Sequence, residues 1–350
     1  MATNDIDIKP DHQYTLDESD DSENLDNYIA PKGGSRSGVL MNGNVTLNDY
    51  VGHWLSTVKR GKVKPSTYDR LLTSSESLAS YRISSLAICQ ITPEDCENYV
   101  DQLAGAGYSL TTIKKQMLIV SAPMTYAYNH RVIQFNPTAC MKPPSKANVQ
   151  KARKKPEAYT QEEQEKLLAV LRTRERPAYA AVELMLETGM RPGEVLGFEK
   201  DDIHLDKRFI YVHRTMVNLA NQESGVRLSY VQDGAKSETS NRRVPLSQRA
   251  LEIANEILNS DTVHPFEMAD HSRVGYESMR WCCIKACQKA GIPYRGLHVF
   301  RHTFATNLFY KGVNVKILSQ ILGHSETSVT MNIYIHLYGD GFSEMLAAVG

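Results

Sequence analysis

Histidine and arginine side chains recur at helical spacing near the carboxyl end of the sequence. His298, Arg301 and His302 stand at positions i, i+3 and i+4 of one predicted helix. Residues at i and i+3 share a helix face, so His298 and Arg301 can converge on one phosphate group. The two histidines also have metal-ligand spacing, but the glutamate of the H-E-x-x-H pattern and a third ligand are absent. We therefore predict no metal site and interpret His302 as a packing or supporting residue.

A second arginine suited to a phosphate lies upstream, in segment 188–194, which reads TGMRPGE. Arg191 stands there at a predicted helix start, beside glycines that allow the backbone to approach a ligand closely. A guanidinium in this setting can donate two hydrogen bonds to phosphate oxygens. Glu194, one helical turn later, can hold the guanidinium in place. Without the other segments, Arg191 would be interpreted as an ordinary surface residue.

Three more side chains are candidate catalytic residues. Lys236 lies in a polar segment between predicted strands, His324 lies in the Leu-Gly-His-Ser segment 322–325, and Tyr334 follows ten residues after His324. A lysine at a hairpin tip can enter a minor groove and protonate a leaving oxygen if its pKa is lowered. Tyr338 is a second candidate for the reactive tyrosine, but it lacks the threonine four residues earlier that Tyr334 has in Thr330. Taken singly, these residues would be a solvated lysine and buried structural tyrosines.

Together these segments resemble the tyrosine recombinases of the phage-integrase family. Segment 188–194 is similar to the family's T-G-x-R-x-x-E box, 298–306 to H-x-x-R-H-T-F-A-T, and 322–325 to L-G-H-S. The Lys236 region resembles the family's hairpin lysine followed by S-x-R-x-x-P. The ten-residue spacing to Tyr334 fits the integrases of phages and conjugative transposons.

The resemblance implies an enzyme that cuts and rejoins DNA without metal, ATP or another cofactor. Tyr334 would attack the scissile phosphate and form a 3′-phosphotyrosyl link, and Lys236 would protonate the departing 5′ oxygen. Four residues would stabilise the charge of the transition state, namely Arg191, His298, Arg301 and His324. The expected partners are double-stranded DNA with attachment or crossover sites, and an excisionase or DNA-bending protein. The resemblance also implies a homotetramer on the DNA and a reaction that passes through a Holliday junction.

A helical domain is predicted at 45–142. Apolar residues from Leu47 to Val58 follow the spacing of an amphipathic helix, with Thr46 as its amino-terminal cap. Further helix starts are indicated at Pro65, at Thr92-Pro93 and at Ser109. The domain resembles the family's SAM-like core-binding domain. Its expected DNA contacts are Lys114 and Lys115.

A basic, proline-containing linker at 143–158 precedes a predicted catalytic domain at 159–350. Thr160 and Glu163 form a capping-box pattern, and short strands are predicted at 208–213, 227–231 and 243–246. Arg242 and Arg243 are expected DNA contacts. The predicted fold is mainly α with a small antiparallel sheet, and the resemblance implies that the two domains form a C-shaped clamp on DNA. In relatives, a helix like 341–349 docks on a neighbouring subunit; packing on its own domain is the alternative.

The charge of the sequence is unevenly distributed. The chain has 40 basic and 40 acidic residues, but residues 1–30 contain nine acidic residues and one basic residue, which leaves 39 basic and 31 acidic in the remainder. We expect 1–44 to be a disordered acidic tail, too short and acidic for the arm-site-binding domain of many integrases. The remainder is a plausible polyanion binder. No apolar run is long enough to span a membrane, so a cytoplasmic protein is expected.

Other functions remain open at this point. The chain could instead be closer to the Xer-like recombinases that resolve dimers or invert segments. A type IB topoisomerase would share the tyrosine chemistry, and a non-catalytic DNA-binding protein would retain only the clamp. The six cysteines lack a C-x-x-C pair, so we interpret them as reduced structural thiols, with metal binding by Cys283 and Cys287 as a minor alternative.

Overall fold

The computed structural model describes residues 43–145, 157–220, 227–233 and 241–323. Within these residues the chain divides into two compact units. A helical unit comprises 43–145 with 218–220 and 227–228, and a second unit comprises 157–217, 229–233 and 241–323. The predicted domain limits remain predictions, because most of the tail and of the linker lies outside the described residues. None of the described helices is long and apolar enough to cross a membrane.

The helical unit consists of four helices around one apolar core. They are α1 (Leu47–Trp54, continued by a π-helical turn Leu55–Lys59), α2 (Pro65–Leu78), α3 (Pro93–Gly105) and α4 (Leu110–Asn129). Short 3-10 turns follow α2 at Arg82–Ser85 and α4 at Pro137–Cys140. Each of α1, α3 and α4 begins at a side chain that accepts a backbone N–H bond, and those residues are Thr46, Thr92 and Ser109. The predicted helix starts are thereby confirmed.

The second unit is built on a helix that is buried on almost every side. This helix, α6 (Ala178–Thr188), lies between α5 (Gln161–Leu171), α8 (Gln248–Leu258), α9 (Tyr276–Ala290) and α10 (His298–Tyr310). Even its Glu183 is fully buried, and this carboxylate is bonded by Arg172, Arg174 and Arg249. Because α6 is fixed within the core, the chain that leaves its carboxyl end has a fixed starting point.

Two short helices and five strands complete the second unit, although parts of two strands belong to the helical unit. The helices are α7 (Pro192–Gly197) and α11 (Val315–Leu322); the strands are β1 (Ile203–His204), β2 (Phe209–Val212), β3 (Arg214–Ala220), β4 (Arg227–Asp233) and β5 (Arg242–Pro245). The parts that belong to the helical unit are residues 218–220 of β3 and 227–228 of β4. Strands β1, β2 and β5 form an antiparallel sheet in which Ile210 faces Val244, and β3 pairs with β4. The predicted mainly helical fold with a small antiparallel sheet is confirmed, although the sequence did not indicate β1 or β3.

Candidate active site

Arg191 lies in the short connection between α6 and α7. Gly189 ends α6 in a left-handed conformation with φ of 66°, and Pro192 is the first residue of α7. Arg191 therefore occupies the cap position of α7. Its backbone N–H donates to Glu194 Oε2 at 2.7 Å, and its Nη1 donates to Oε1 at 2.7 Å. The predicted contact between Glu194 and the guanidinium is present, and 36% of the Arg191 side chain stays exposed.

Glu194 connects two arginines rather than one. Its carboxylate is buried and also accepts bonds from Arg242, from Nη1 at 2.9 Å and from Nη2 at 2.8 Å. Burial alone would raise the pKa of this carboxyl group. The hydrogen bonds and positive charge of Arg242, and the charge of Arg191, outweigh burial and lower the pKa to about 2. Glu194 is thus a stable anion between two cations.

Helix α10 carries His298 and Arg301. Arg301 is buried, and it donates from Nη1 to the Gly189 carbonyl at 3.0 Å and from Nη2 to the Leu322 carbonyl at 2.6 Å. His298 lies one turn earlier on α10. Its pKa is lowered by desolvation and then by the positive charges of Arg301 and Arg191. Arg191 and Arg301 bond the adjacent carbonyls of Gly323 and Leu322, and His298 lies one helical turn from Arg301, so the three residues lie in one region of the second unit.

Three arginines bind the carboxyl end of α11, where backbone carbonyls have no partner within the helix. Arg242 Nε donates to the Ile321 carbonyl at 2.7 Å, Arg301 Nη2 to Leu322 at 2.6 Å, and Arg191 Nη2 to Gly323 at 3.0 Å. We call Arg191, Arg242 and Arg301 the arginine clasp. The negative end of the helix dipole favours these cations. The clasp fixes the residue that immediately precedes His324 in the sequence.

Several predicted site residues cannot be placed in this way. Lys236, His324, Tyr334 and the competing Tyr338 lie outside the described residues, as does the predicted terminal helix. His302 is half-buried next to Arg301 on α10. The supporting role predicted for His302 remains a prediction.

The four predicted DNA contacts differ in exposure. Lys114 and Lys115 are exposed on α4, and Arg243 is exposed with its guanidinium 5.2 Å from the centre of the Phe209 ring. Arg242 is only 8% exposed. The sequence analysis did not identify Arg242 as the partner of Glu194. Strand alternation could have indicated it, because Arg242 shares the inward face of β5 with Val244.

The cysteines at helical spacing on α9 lie in the apolar core. Cys283 and Cys287 are buried, and burial raises the pKa of both thiols. A metal ligand would have to be the thiolate. Their surroundings therefore favour the interpretation as structural thiols.

Comparisons with known proteins give one matching family and several relatives. Residues 157–340 match the phage integrase family. The chain is 28% identical over 319 residues to a XerC-like tyrosine recombinase of Caldanaerobacter subterraneus subsp. tengcongensis, which covers 84% of this chain and 80% of that protein. It is 23% identical to the transposase of transposon Tn916 from Enterococcus faecalis, over 79% of this chain and 71% of that protein.

Solved structures of similar fold include DNA complexes. The Tn1549 transposon integrase bound to transposon right end DNA superposes with a TM-score of 0.70, at 21% identity, over 87% of this chain and 100% of that chain. A lambda integrase dimer bound to a core site gives a TM-score of 0.61, at 15% identity, over 83% of this chain and 95% of that chain. At these identities the likeness supports the fold.

Proposed function

Because this chain belongs to the phage integrase family and is a tyrosine site-specific recombinase, we propose that it cuts and rejoins duplex DNA at a crossover site through Tyr334. The observation that carries this proposal is the convergence of Arg191, His298 and Arg301. Two guanidiniums and an imidazole within reach of one group form a site for a phosphodiester whose negative charge increases during cleavage.

Both arginines of this proposed phosphate site are held in place before DNA arrives. A guanidinium has five N–H donors. Arg191 uses Nη1 for Glu194 and Nη2 for the Gly323 carbonyl, and 36% of its side chain remains exposed. A site whose donors are already oriented loses less free energy to reorganisation when charge develops. Arg191 is therefore proposed as the main phosphate contact, with Arg301 beside it.

The proposed step transfers a phosphoryl group without net loss of bond energy. The Tyr334 oxygen attacks phosphorus, the bond from phosphorus to the 5′ oxygen breaks, and Lys236 supplies the proton that this oxygen takes up. The tyrosine proton passes to His298. The lowered pKa of His298 keeps the imidazole neutral near pH 7, as a proton acceptor must be. A 5′-hydroxyl of the partner strand then attacks the phosphotyrosyl link, so ATP is not needed.

The proposed substrate is the attachment site of a mobile element. A prophage integrase of Lactococcus lactis and the Tn916 transposase are among the relatives, and both names refer to mobile elements. A lambda integrase structure is a tetramer on a Holliday junction. We propose the same assembly here, with Lys114 and Lys115 contacting the duplex and an excisionase or bending protein as an additional partner. The XerC-like relative favours a second candidate, resolution of DNA dimers.

A nicked suicide duplex taken from the DNA that flanks the gene tests the proposal. The protein is incubated with this duplex in EDTA, and covalent complexes are separated on a denaturing gel. We expect a covalent band with the unaltered chain and with Tyr338→Phe, but not with Tyr334→Phe. A band lost only with Tyr338→Phe would show that the nucleophile is misassigned. Tight binding without any band would favour a non-catalytic DNA-binding protein, and a band that EDTA abolishes would refute metal independence.

A further inference from the structure

We propose that Arg242 is a positioning residue for strand cleavage, which holds the Glu194 carboxylate and the end of α11 in the orientation that Arg191 requires. This inference rests on the proposed function. It assigns Arg242 a different role from that of a DNA contact, the role that its positive charge in a basic segment suggested.

Each nitrogen of the Arg242 guanidinium donates a hydrogen bond within the protein. Nε bonds the Ile321 carbonyl at 2.7 Å, and Nη1 and Nη2 bond the two oxygens of Glu194 at 2.9 and 2.8 Å. The residue is only 8% exposed. A phosphate that took the place of Glu194 on this largely buried guanidinium would leave a buried carboxylate without its bidentate partner.

Arg242 connects two parts of the site that are distant in sequence. Through Glu194 Oε1, which also accepts from Arg191 Nη1 at 2.7 Å, it fixes one catalytic guanidinium. Through the Ile321 carbonyl it fixes the carboxyl end of α11. Arg191 itself bonds the Gly323 carbonyl, which closes the network. Loss of Arg242 would therefore loosen both ends at once.

The Arg242 side chain packs against Gly323, where any larger residue would come too close to it. Gly323 has a φ of 65°, and a Cβ there would lie 2.9 Å from Arg242 Cδ, 3.0 Å from Nη1 and 3.1 Å from Nε. The glycine is required both by its left-handed backbone and by the guanidinium packed against it. A lysine at 242 could supply the charge but not the three directed bonds.

Two measurements on the full-length protein separate positioning from DNA contact. The first is the single-turnover rate of covalent-complex formation on the suicide duplex at saturating protein. The second is duplex affinity as a function of salt, because each phosphate contact contributes about 0.9 to the slope of log K against log[salt]. Four variants are compared: Arg242→Gln, Arg242→Lys, Arg243→Gln and Arg249→Gln.

Arg249→Gln is the matched control for a general loss of stability. Arg249 bonds both oxygens of the buried Glu183, as Arg242 bonds both oxygens of Glu194. It lies on α8, outside the arginine clasp. Arg243→Gln is the matched control for a DNA contact, because Arg243 is adjacent in sequence, equal in charge and exposed.

Arg242→Gln is expected to slow cleavage by roughly 10- to 100-fold, as small misplacements of catalytic groups do, with an unchanged salt slope. Arg242→Lys should also be slow. Arg243→Gln should reduce the salt slope by about 0.9, and Arg249→Gln should leave the cleavage rate unchanged. A pH profile adds a readout of Glu194. Without Arg242, burial raises the pKa of this carboxyl group, so the cleavage rate of Arg242→Gln should begin to fall at a higher pH than that of the unaltered chain, which slows only as His298 is protonated.

Three results would overturn the inference. One is a salt slope for Arg242→Gln that falls as it does for Arg243→Gln, which would make Arg242 a DNA contact. The second is an unchanged cleavage rate in Arg242→Gln or full activity in Arg242→Lys. The third is an equal loss of rate in Arg249→Gln, which would indicate general destabilisation. If the unaltered chain binds but does not cleave, the proposed function fails, and the salt slopes still decide whether Arg242 contacts DNA.

Discussion

Replacing Gly189 by alanine tests how tightly the connection between α6 and α7 is packed. Gly189 and Gly291 both end a helix with a φ of 66°. A Cβ on Gly189 would lie 2.3 Å from Phe304 Cδ1, whereas a Cβ on Gly291 would meet nothing within 4 Å. The two substitutions therefore share the backbone strain and differ in the contact with Phe304.

The expected magnitudes follow from that difference. A left-handed alanine costs about 1–2 kcal/mol at either position. Forcing extra volume against a packed side chain adds about 1–3 kcal/mol, and only Gly189→Ala incurs this cost. We expect the free energy of unfolding to fall by about 2–5 kcal/mol for Gly189→Ala and by about 1–2 kcal/mol for Gly291→Ala. Cleavage should slow only in Gly189→Ala, because the Gly189 carbonyl accepts the Arg301 bond.

Urea unfolding of both variants provides the measurement. Both glycines belong to the second unit, so the shift in the midpoint of its transition can be compared directly, provided that the slopes agree. Phe304→Leu in the Gly189→Ala background should recover part of the loss by removing the ring. Equal losses at the two glycines, within about 0.5 kcal/mol, would refute the reasoning, because they would mean that Phe304 moves aside freely.

Three further predictions concern titration and exposure. Glu194→Gln should lower the free energy of unfolding near neutral pH by about 3–5 kcal/mol, because it breaks a buried ion pair, as urea unfolding would show. The folded-state pKa of Glu194 is about 2 against an ordinary 4.5, so the stability that its charge contributes is complete above pH 4.5 and is lost as the pH falls towards 2. The free energy of unfolding of the variant should therefore fall less over that range than that of the unaltered chain. His298 should titrate below its ordinary pKa of 6.5 in an NMR experiment, and Arg191→Gln should move the midpoint back up; an unmoved midpoint would mean that the charge of Arg191 has no effect there. A thiol reagent should label Cys89 and Cys140 in the native protein and leave the other four cysteines unlabelled until urea is added, and rapid labelling of a third thiol would contradict the burial.

The parts of the fold that could be predicted from sequence are those with local causes. Thr46, Thr92, Ser109 and Thr160 each accept a backbone bond within their own first helical turn, so the signal and its effect lie within a few residues. Strands β2 and β4 were indicated by alternation within their own sequences for the same reason. The two-residue β1 lacks enough sequence for a periodic pattern.

The arginine clasp could not be predicted because its contacts join segments far apart in sequence. Arg242 and Glu194 are 48 positions apart, and Arg191 and Gly323 are 132 apart. From composition alone, every arginine would be expected at the surface. Arg242 and Arg301 are nevertheless buried, whereas Arg243 is exposed. The motifs indicated candidate site residues, but they did not indicate that three arginines bond the carbonyls at the same helix end.

The arginine clasp also affects the choice of a variant that removes activity without lowering stability. The carbonyls of residues 321–323 need donors, and Arg242, Arg301 and Arg191 supply them. Two of these residues, Arg191 and Arg301, are also the ones proposed to stabilise the transition state. Removing Arg301 would leave the Gly189 and Leu322 carbonyls without these donors in a buried place, which costs about 1–3 kcal/mol for each unpaired group. A loss of activity in an Arg301 variant would mix chemistry with stability, whereas Tyr334→Phe removes a single hydroxyl oxygen.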